Sequence, residues 1–283
     1  MNFPFFIARR YLFAKKSHNV INLISAISVA GIMLASFALI CTLSVFNGFH
    51  QLVESLFRDF DPEIKVVAAD RKFFSIGDEL IQKAKDLDFI DVYTFTLEEQ
   101  ALISYKSKQQ ITMIKGVDES FHDLVGIENL LKGNGIFMLE DAVCHYGIMG
   151  VGLMNRMESG IKPSSPLKLY VPKKEGHINM SNPVTSFNYA NIYSPGVIFS
   201  VEQEKYDDNY VLISLDLAQE LTDRQGEASA LEIKTKEGTS IRKAIRQLQT
   251  LLGPGFEVQD RLHQQKDVFK VFKMEKFISY LFL

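Results

Sequence analysis

The chain has 283 residues, 47% of them apolar, and a formal net charge of -3 at pH 7. This length and composition allow a substantial folded core and exclude a disordered or low-complexity chain. The small negative charge, with Lys and Arg thinly spread beyond the N-terminus, argues against nucleic-acid binding. The two cysteines, Cys41 and Cys144, stand far apart in the sequence, so no disulfide framework is expected.

The first long element is a predicted membrane helix at Val20–Phe46. This segment contains no Asp, Glu, Lys or Arg and is dominated by aliphatic residues. At about 1.5 Å per residue it reaches roughly 40 Å, more than the ~30 Å hydrocarbon core of a bilayer. A cleaved signal peptide has a shorter apolar region of about 7–15 residues. We therefore expect residues 20–46 to be retained as transmembrane helix 1.

The charges on either side of this helix predict its orientation. Arg9, Arg10, Lys15 and Lys16 precede it, whereas the segment that follows is acidic. Because cytoplasmic flanks are enriched in Lys and Arg, the N-terminus is expected in the cytoplasm and the next domain outside. Residues 1–19, apolar and aromatic with arginines between, are predicted to form a cytoplasmic or interfacial elbow.

An extracytoplasmic α+β domain is predicted at residues 47–274. Strands are expected at Glu63–Ala68, Asp91–Ser104, Gln110–Val117, Leu167–Val171, Gly196–Val201, Tyr210–Ser214, Ala230–Lys234 and Phe256–Gln259, and helices at Ile76–Leu87, Leu215–Leu221 and Ser240–Leu252. Strand-helix-strand patterns occur early and late, so an outer pair of segments around an inserted middle is the simplest arrangement. Val171–Gly196 is expected to be a long loop or an extended hairpin, and such segments often carry function.

The C-terminal residues predict the start of a second membrane helix. Residues 262–274 are amphipathic and are interpreted as a stalk. The apolar segment Phe277–Leu283 that follows is too short to cross a bilayer. We therefore expect residues 275–283 to begin transmembrane helix 2 and the chain to be a fragment of a longer protein.

Nothing in the sequence indicates an enzyme. No Walker A motif is present, and the six histidines do not have metal-binding spacing, so neither a cofactor nor a metal is expected. Adjacent acids such as Glu98-Glu99 and Asp207-Asp208 are interpreted as solvated strand or turn residues, because neighbours on a strand point to opposite faces. The chain is predicted to be a non-catalytic subunit.

Three short motifs resemble those of a known family. Ser44–Phe49 ends helix 1 with Asn-Gly-Phe, Lys115–Asp118 ends a strand with Gly-Val-Asp, and Lys273–Lys276 leads into helix 2. In their order, spacing and topology they resemble the FtsX/MacB-like ABC transporter permease family, most of all the lipoprotein-releasing (LolC/LolE-type) permease subunits. The stretch that carries this resemblance covers nearly the whole chain.

The resemblance implies an architecture and a function. The outer domain would be a MacB-type periplasmic domain, with a porter subdomain at about 60–125 and 207–262 and an inserted sabre subdomain at about 126–206. The protein would be an inner-membrane, multi-pass permease subunit that extracts acylated lipoproteins from the outer leaflet and passes them to a periplasmic lipoprotein carrier. A cytoplasmic ABC ATPase dimer would bind the ATP, and a second permease subunit, identical or homologous, would complete the transporter.

The resemblance also implies two contact regions. Phe46, Phe49 and Val53, at the outer end of helix 1, would contact the lipid anchor of the cargo. For the two phenylalanines, simple anchoring of the helix at the membrane interface is an equally good interpretation. The carrier-binding loop would lie within residues 173–193. Its predicted contact residues are Lys173, Lys174, Asn182, Pro183, Tyr189 and Tyr193.

Other functions remain open at this point. A MacB-type efflux permease would share the topology and would engage an adaptor and an outer-membrane channel. An FtsX-like mechanotransmission subunit would control a cell-wall hydrolase, although the outer domain of such proteins is usually smaller. Such an FtsX-like subunit is the class from outside transport, and a sensor with two flanking membrane helices is a further alternative.

Overall fold

The computed structural model describes residues 3–12, 19–56, 60–174 and 186–265. The chain divides into two compact units, one made of Met1–Val53 and Asp267–Leu283 and the other of Glu54–Lys266. The predicted stalk and the start of helix 2 lie outside the described residues, apart from the first positions of the stalk.

The N-terminal unit contains helices α1 (Phe3–Leu12) and α2 (Asn19–Leu56). Within α2, Leu23–Val45 is long and apolar enough to cross a membrane. Its large apolar side chains are exposed, Ile32 to 69% and Leu34 to 71%. A helix that is apolar all round requires apolar surroundings, and a bilayer supplies them. The predicted membrane helix is confirmed as a single helix, which continues beyond Phe46.

The second unit is a mixed α/β domain, as predicted. Its strands are β1 (Ile64–Ala68), β2 (Phe74–Ser75), β3 (Ile90–Tyr105), β4 (Lys108–Val117), β5 (Leu131–Gly133), β6 (Ile148–Met149), β7 (Leu167–Pro172), β8 (Phe187–Ile192), β9 (Val197–Phe199), β10 (Tyr210–Ser214), β11 (Glu227–Ala228), β12 (Ala230–Thr235) and β13 (Phe256–Asp260). Its helices are α3 (Glu79–Lys85), α4 (Phe121–Val125), α5 (Val151–Met157), α6 (Glu204–Asp207), α7 (Leu215–Leu221), α8 (Ile241–Leu252) and α9 (Arg261–Gln264).

One mixed sheet organises this unit. Over the described part of the chain, its strand order is β13-β1-β12-β3-β4-β10-β6, with β7 and β8 added beside β3. The long strand β3 joins the two halves, because its first half pairs with β12 and its second half pairs with both β4 and β7. The pairing of β10 with β4 is parallel, and the connection between them contains the whole middle segment.

Local sequence explains the helices that flank the sheet. On α8, Ala244, Leu248 and Leu252 recur at helical spacing and are buried against the β1 side of the sheet. Helix α3 is shorter than the predicted Ile76–Leu87, because the Asp78 side chain accepts a hydrogen bond from Leu80 N–H and starts the helix there.

The middle of the domain is more ordered than its Gly-, Pro- and Asn-rich sequence indicates. Strands β7 and β8 form an extended antiparallel hairpin, paired from Leu167–Ile192 to Pro172–Phe187, and the predicted segment 171–196 contains the end of β7 and all of β8. Strands β6 and β7 of this middle segment pair with β10 and β3, so one sheet runs through both predicted subdomains. The porter and sabre boundaries stay predictions.

Candidate functional site

The β7–β8 hairpin carries the described part of the predicted carrier-binding segment. Lys173 N–H donates to the Ser186 carbonyl over 3.0 Å, which closes the hairpin immediately before the connecting residues. Lys174 Nζ lies 3.6 Å from Glu227 Oε1. Asn182 and Pro183 lie outside the described residues. The two lysines are therefore placed at the base of that connection.

The two tyrosines of the segment lie at different places. Tyr189 is in the middle of β8, directly opposite Tyr170 of β7, with ring centroids 6.1 Å apart. Tyr193 follows the end of β8, where its backbone bonds to residues 145 and 147. At about 3.3 Å per residue, Tyr193 is roughly 23 Å along the chain from Ser186. The structure does not bring Tyr193 to the base of the connection.

Tyr189 belongs to an apolar row that crosses four strands. The registers pair Ile111 with Leu102, Leu102 with Tyr170, and Tyr170 with Tyr189. Because directly opposed residues of antiparallel strands share a face, these four side chains lie on one face of the sheet, and we call them the outer row. Ile111 and Tyr189 are 63% and 64% exposed, and the other two are partly exposed. The outer row is the apolar surface that the predicted segment helps to build.

The flanks of the outer row differ in chemistry. On one side, exposed Lys168 is paired with Asn191 of β8 and Ser104 of β3. On the other side, Pro172 is paired with Phe187. An exposed apolar stripe with polar and basic neighbours is typical of a surface that binds another protein.

Phe46, Phe49 and Val53 all lie on the C-terminal turns of α2. Their spacing of three and four residues places the three positions on one face of the helix. Their contact with a lipid anchor stays a prediction.

A second candidate region is a polar cavity of about 70 Å³ inside the domain. Strands β1, β3, β4 and β12 contribute one charged residue each, and strand β10, the segment before β1 and the segments around α6 and α9 complete the wall. The lining residues are Asp61, Pro62, Lys65, Glu98, Lys115, Lys205, Tyr206, Tyr210, Glu232 and Gln264.

Two lysines and two glutamates form a closed arrangement of charges at this cavity. Lys115 Nζ lies 2.8 Å from Glu232 Oε1, and Lys65 Nζ lies 3.1 Å from Glu98 Oε1. The cross-contacts are 3.7 Å for Lys65 to Glu232 and 3.8 Å for Lys115 to Glu98. The Glu232 and Lys115 side chains are 0% and 4% exposed. Charges buried to this degree require such pairing, and here each ion faces two of opposite sign.

These neighbours control ionisation at the cavity. Burial alone would raise the pKa of Glu98, but the attraction of Lys65 and Lys115 and hydrogen bonds from Lys65 and Tyr210 lower that pKa to about 2. Burial also opposes the charged form of Lys65, yet the nearby carboxylates raise its pKa above the ordinary value. Burial and adjacent carboxylates raise the pKa values of Tyr206 and Tyr210, so both hydroxyls remain donors. The arrangement has the properties of a structural network.

The interpretation of Glu98 and Glu99 as solvated residues needs correction. The two side chains do point to opposite faces, but Glu98 pairs with Lys65 at the cavity and Glu99 pairs with Lys72. Asp207 is also buried and accepts a hydrogen bond from Val201 N–H. Sequence reasoning missed the network, although charged residues inside the apolar strands β4 and β12 were the available signal.

The described residues contain no candidate metal-binding site. They contain no group of three or more His, Cys, Asp or Glu side chains arranged to hold a metal ion.

The fold of this α/β domain is similar to that of a MacB-type periplasmic domain. The chain is similar to the periplasmic region of MacB from Actinobacillus actinomycetemcomitans, with a TM-score of 0.50 and 11% identity over 72% of this chain and 91% of that one. The extracellular domain of the ABC-type transporter YknZ from Gram-positive bacteria matches 70% of this chain and 99% of its own, with a TM-score of 0.46 and 11% identity.

In sequence, the chain is similar to a lipoprotein-releasing protein. It is 24% identical over 255 residues to the lipoprotein-releasing system transmembrane protein LolE of Haemophilus influenzae, across 86% of this chain and 57% of that protein. The chain thus spans little more than half the length of this relative. No family model matches. The resemblance to FtsX/MacB-like ABC transporter permeases that the sequence motifs indicated is confirmed.

Proposed function

We propose that the chain is part of a permease subunit that extracts lipoproteins from the outer leaflet of the inner membrane and passes them to a periplasmic carrier. The similarity to LolE over 86% of the chain is the observation that carries this proposal. In this arrangement the N-terminus is cytoplasmic, the α/β domain is periplasmic, and the complete protein crosses the membrane more than once. A second permease subunit and a cytoplasmic ABC ATPase dimer, which binds the ATP, complete the transporter.

The energetics of the task require coupling to an ATPase. Each CH₂ of an acyl chain gains about 0.8 kcal/mol from burial in the bilayer, so withdrawing a multiply acylated anchor is strongly uphill. The outer end of α2, with Phe46, Phe49 and Val53, is the proposed first contact for these chains. Work done by the ATPase on the membrane helices then reaches the periplasmic domain through the segments that connect them.

The outer row is the proposed surface for the carrier. It presents Tyr189 from the predicted carrier-binding segment and an exposed Ile111 on the same face of the sheet. Tyrosines surrounded by polar residues are common among the residues that dominate binding energy. Lys173 at the base of the connection adds positive charge beside this surface, and Lys174 next to it is paired with Glu227.

The decisive experiment is depletion of the full-length protein in its host, followed by separation of the two membranes. Lipoproteins that normally reach the outer membrane are expected to accumulate in the inner membrane, and expression of the full-length protein from a plasmid is expected to reverse this. Unchanged sorting would contradict the proposal and would favour efflux or control of a cell-wall hydrolase instead.

A further inference from the structure

The chain enters and leaves the second unit at neighbouring points. Strands β1 and β13 pair from Ala68–Phe256 to Ile64–Asp260, and Ile64–Asp260 is the last residue pair of this ladder. Beyond it, side chains take over: Arg261 Nε donates to the Asp61 carbonyl and Gln264 Nε2 donates to the Pro62 carbonyl, both over 3.1 Å. The entering and leaving segments are therefore joined by contacts that can break without disrupting the sheet.

One carboxylate connects three distant parts of the sequence. Gln265 Nε2 donates to Asp61 Oδ2 over 2.7 Å across a separation of 204 residues. The Tyr206 hydroxyl, 145 residues from Asp61, donates to Asp61 Oδ1 and accepts from Gln265 Nε2 over 3.1 Å. We call Asp61, Tyr206 and Gln265 the clasp. All three residues are buried.

The entering segment is also anchored in the middle of the domain. Phe60 is 1% exposed, and its ring stacks on Phe199 of β9 with centroids 5.5 Å apart. It also contacts the Tyr206 ring, at a centroid distance of 4.6 Å. The entering segment therefore contacts the middle segment as well as α9.

The clasp borders the polar cavity, and this position lowers the free-energy cost of separating the clasp residues. Asp61 and Tyr206 line that cavity, as does Gln264 next to Gln265. Water that enters a polar cavity replaces broken hydrogen bonds, so the net cost per bond is much smaller than for a bond left unmade in an apolar core. The Lys115–Glu232 pair lines the same cavity, with side chains that are 4% and 0% exposed.

We propose that Asp61, Tyr206 and Gln265 form a conformational clasp that holds the entering and leaving segments together in the resting protein and opens during its working cycle. The inference rests on the proposed function only for the ATP-driven event that opens the clasp. The closed contact itself does not depend on the identity of the cargo.

The test measures the distance between the two segments in the full-length permease, assembled with its ATPase in membranes. Every native cysteine of the full-length protein, Cys41 and Cys144 among them, is replaced by alanine, and Pro62→Cys with Gln264→Cys introduces a reporter pair that leaves the clasp residues unaltered. A short bifunctional maleimide is expected to crosslink this pair rapidly without nucleotide. Trapping the ATP-bound state is expected to slow the reaction about tenfold, the equilibrium change that corresponds to losing one or two hydrogen bonds.

Tyr206→Phe keeps the ring but removes the hydroxyl that bonds to both other clasp residues. It is expected to slow crosslinking about tenfold even without nucleotide. Tyr210→Phe is the matched control, because it removes a hydroxyl from the same cavity whose partner is Glu98. The control is expected to leave the crosslinking rate unchanged. If Tyr206→Phe reduces the yield of folded protein, Gln265→Met removes a donor to the same carboxylate and takes its place.

A second cysteine pair separates movement of the clasp from movement of the sheet. Val67→Cys with Glu257→Cys joins directly opposed residues of β1 and β13 and is expected to react equally in every state. The proposal is contradicted if the Pro62/Gln264 reporter pair crosslinks at the same rate in all four conditions. These are the unsubstituted clasp and the Tyr206→Phe variant, each with and without ATP. A nucleotide-dependent rate that Tyr206→Phe abolishes supports it, whether or not lipoprotein sorting depends on the protein.

Discussion

At the scale of the residue, the buried Lys115–Glu232 pair is held by several contacts at once. Lys115 Nζ contacts both carboxylate oxygens, at 2.8 and 3.1 Å, and lies over the rings of Phe60 and Phe121 at 5.2 and 5.1 Å from their centroids. Thr96 Oγ1 donates to the same glutamate over 3.2 Å. The ammonium group therefore depends on Glu232 for most of its compensation.

Glu232→Gln is expected to destabilise the protein by about 3–5 kcal/mol, because it leaves a buried ammonium group without its closest carboxylate. Chemical denaturation of the detergent-solubilised protein measures the free energy of unfolding. Glu99→Gln is the matched control, since it breaks a pair with the exposed Lys72 and is expected to cost less than about 1 kcal/mol. Similar losses for the two variants would contradict the assignment of a buried network.

Tyr189→Ser is expected to weaken carrier binding about tenfold or more, because it removes the exposed aromatic side chain of the outer row. Its effect on the free energy of unfolding is expected to be within about 0.5–1 kcal/mol, since the side chain is mostly exposed. Binding of the purified carrier to the solubilised permease is the measurement. Leu80→Ser, on α3, provides an exposed apolar control, and equal effects on binding would remove the outer row as the carrier surface.

At the scale of the element, the charged network joins strands that the main chain also pairs. Lys65 on β1 reaches Glu98 on β3 past the intervening strand β12, which contributes Glu232. The ion pairs therefore link the two halves of the sheet at the point where β3 passes from one half to the other. Any change in their ionisation is expected to act on sheet stability as a whole.

The domain is expected to lose stability as the pH falls from 4.5 toward about 2. The pKa of Glu98 is about 2 in the folded state against an ordinary 4.5, so its stabilising contribution is complete above pH 4.5 and is lost as pH falls through the folded value. Thermal unfolding across this range measures the effect. Glu98→Gln is expected to flatten the pH dependence, whereas Glu79→Gln, at a side chain 91% exposed, is expected to leave it unchanged. An unaltered profile in Glu98→Gln would contradict this account.

The sequence predicted the regular elements of the domain well where their periodicity was strong. Helices α7 and α8 and strands β1, β10 and β12 lie within a residue or two of their predicted positions. Helices α4 and α5 were missed, since α4 has only five residues and α5 begins in the Gly150-Val151-Gly152 stretch, where glycine lowers helix propensity. Strand β8 was left undecided between loop and hairpin, because its Asn residues and scattered aromatics do not give a clear alternation.

At the scale of the whole molecule, a membrane-length helix and an α/β domain follow each other in one chain. The similarity to LolE spans 86% of this chain, and part of a permease subunit of an ABC transporter is the role that we propose for it. Lipoprotein release, the carrier and the second permease subunit remain the proposal that membrane fractionation tests. The clasp adds a specific point at which movement of the connecting segments would reach the domain.

The sequence by itself determined the membrane helix, the α+β class and the resemblance to FtsX/MacB-like permeases. These depend on local hydropathy, local periodicity and short motifs, all of which are properties of neighbouring residues. Only the tertiary structure decided that Glu98 is paired rather than solvated, that Ile111 and Tyr189 share a row, and that Asp61 meets Gln265. Those contacts join residues 33 to 204 positions apart, and they depend on strand register and chain return, which no local pattern specifies.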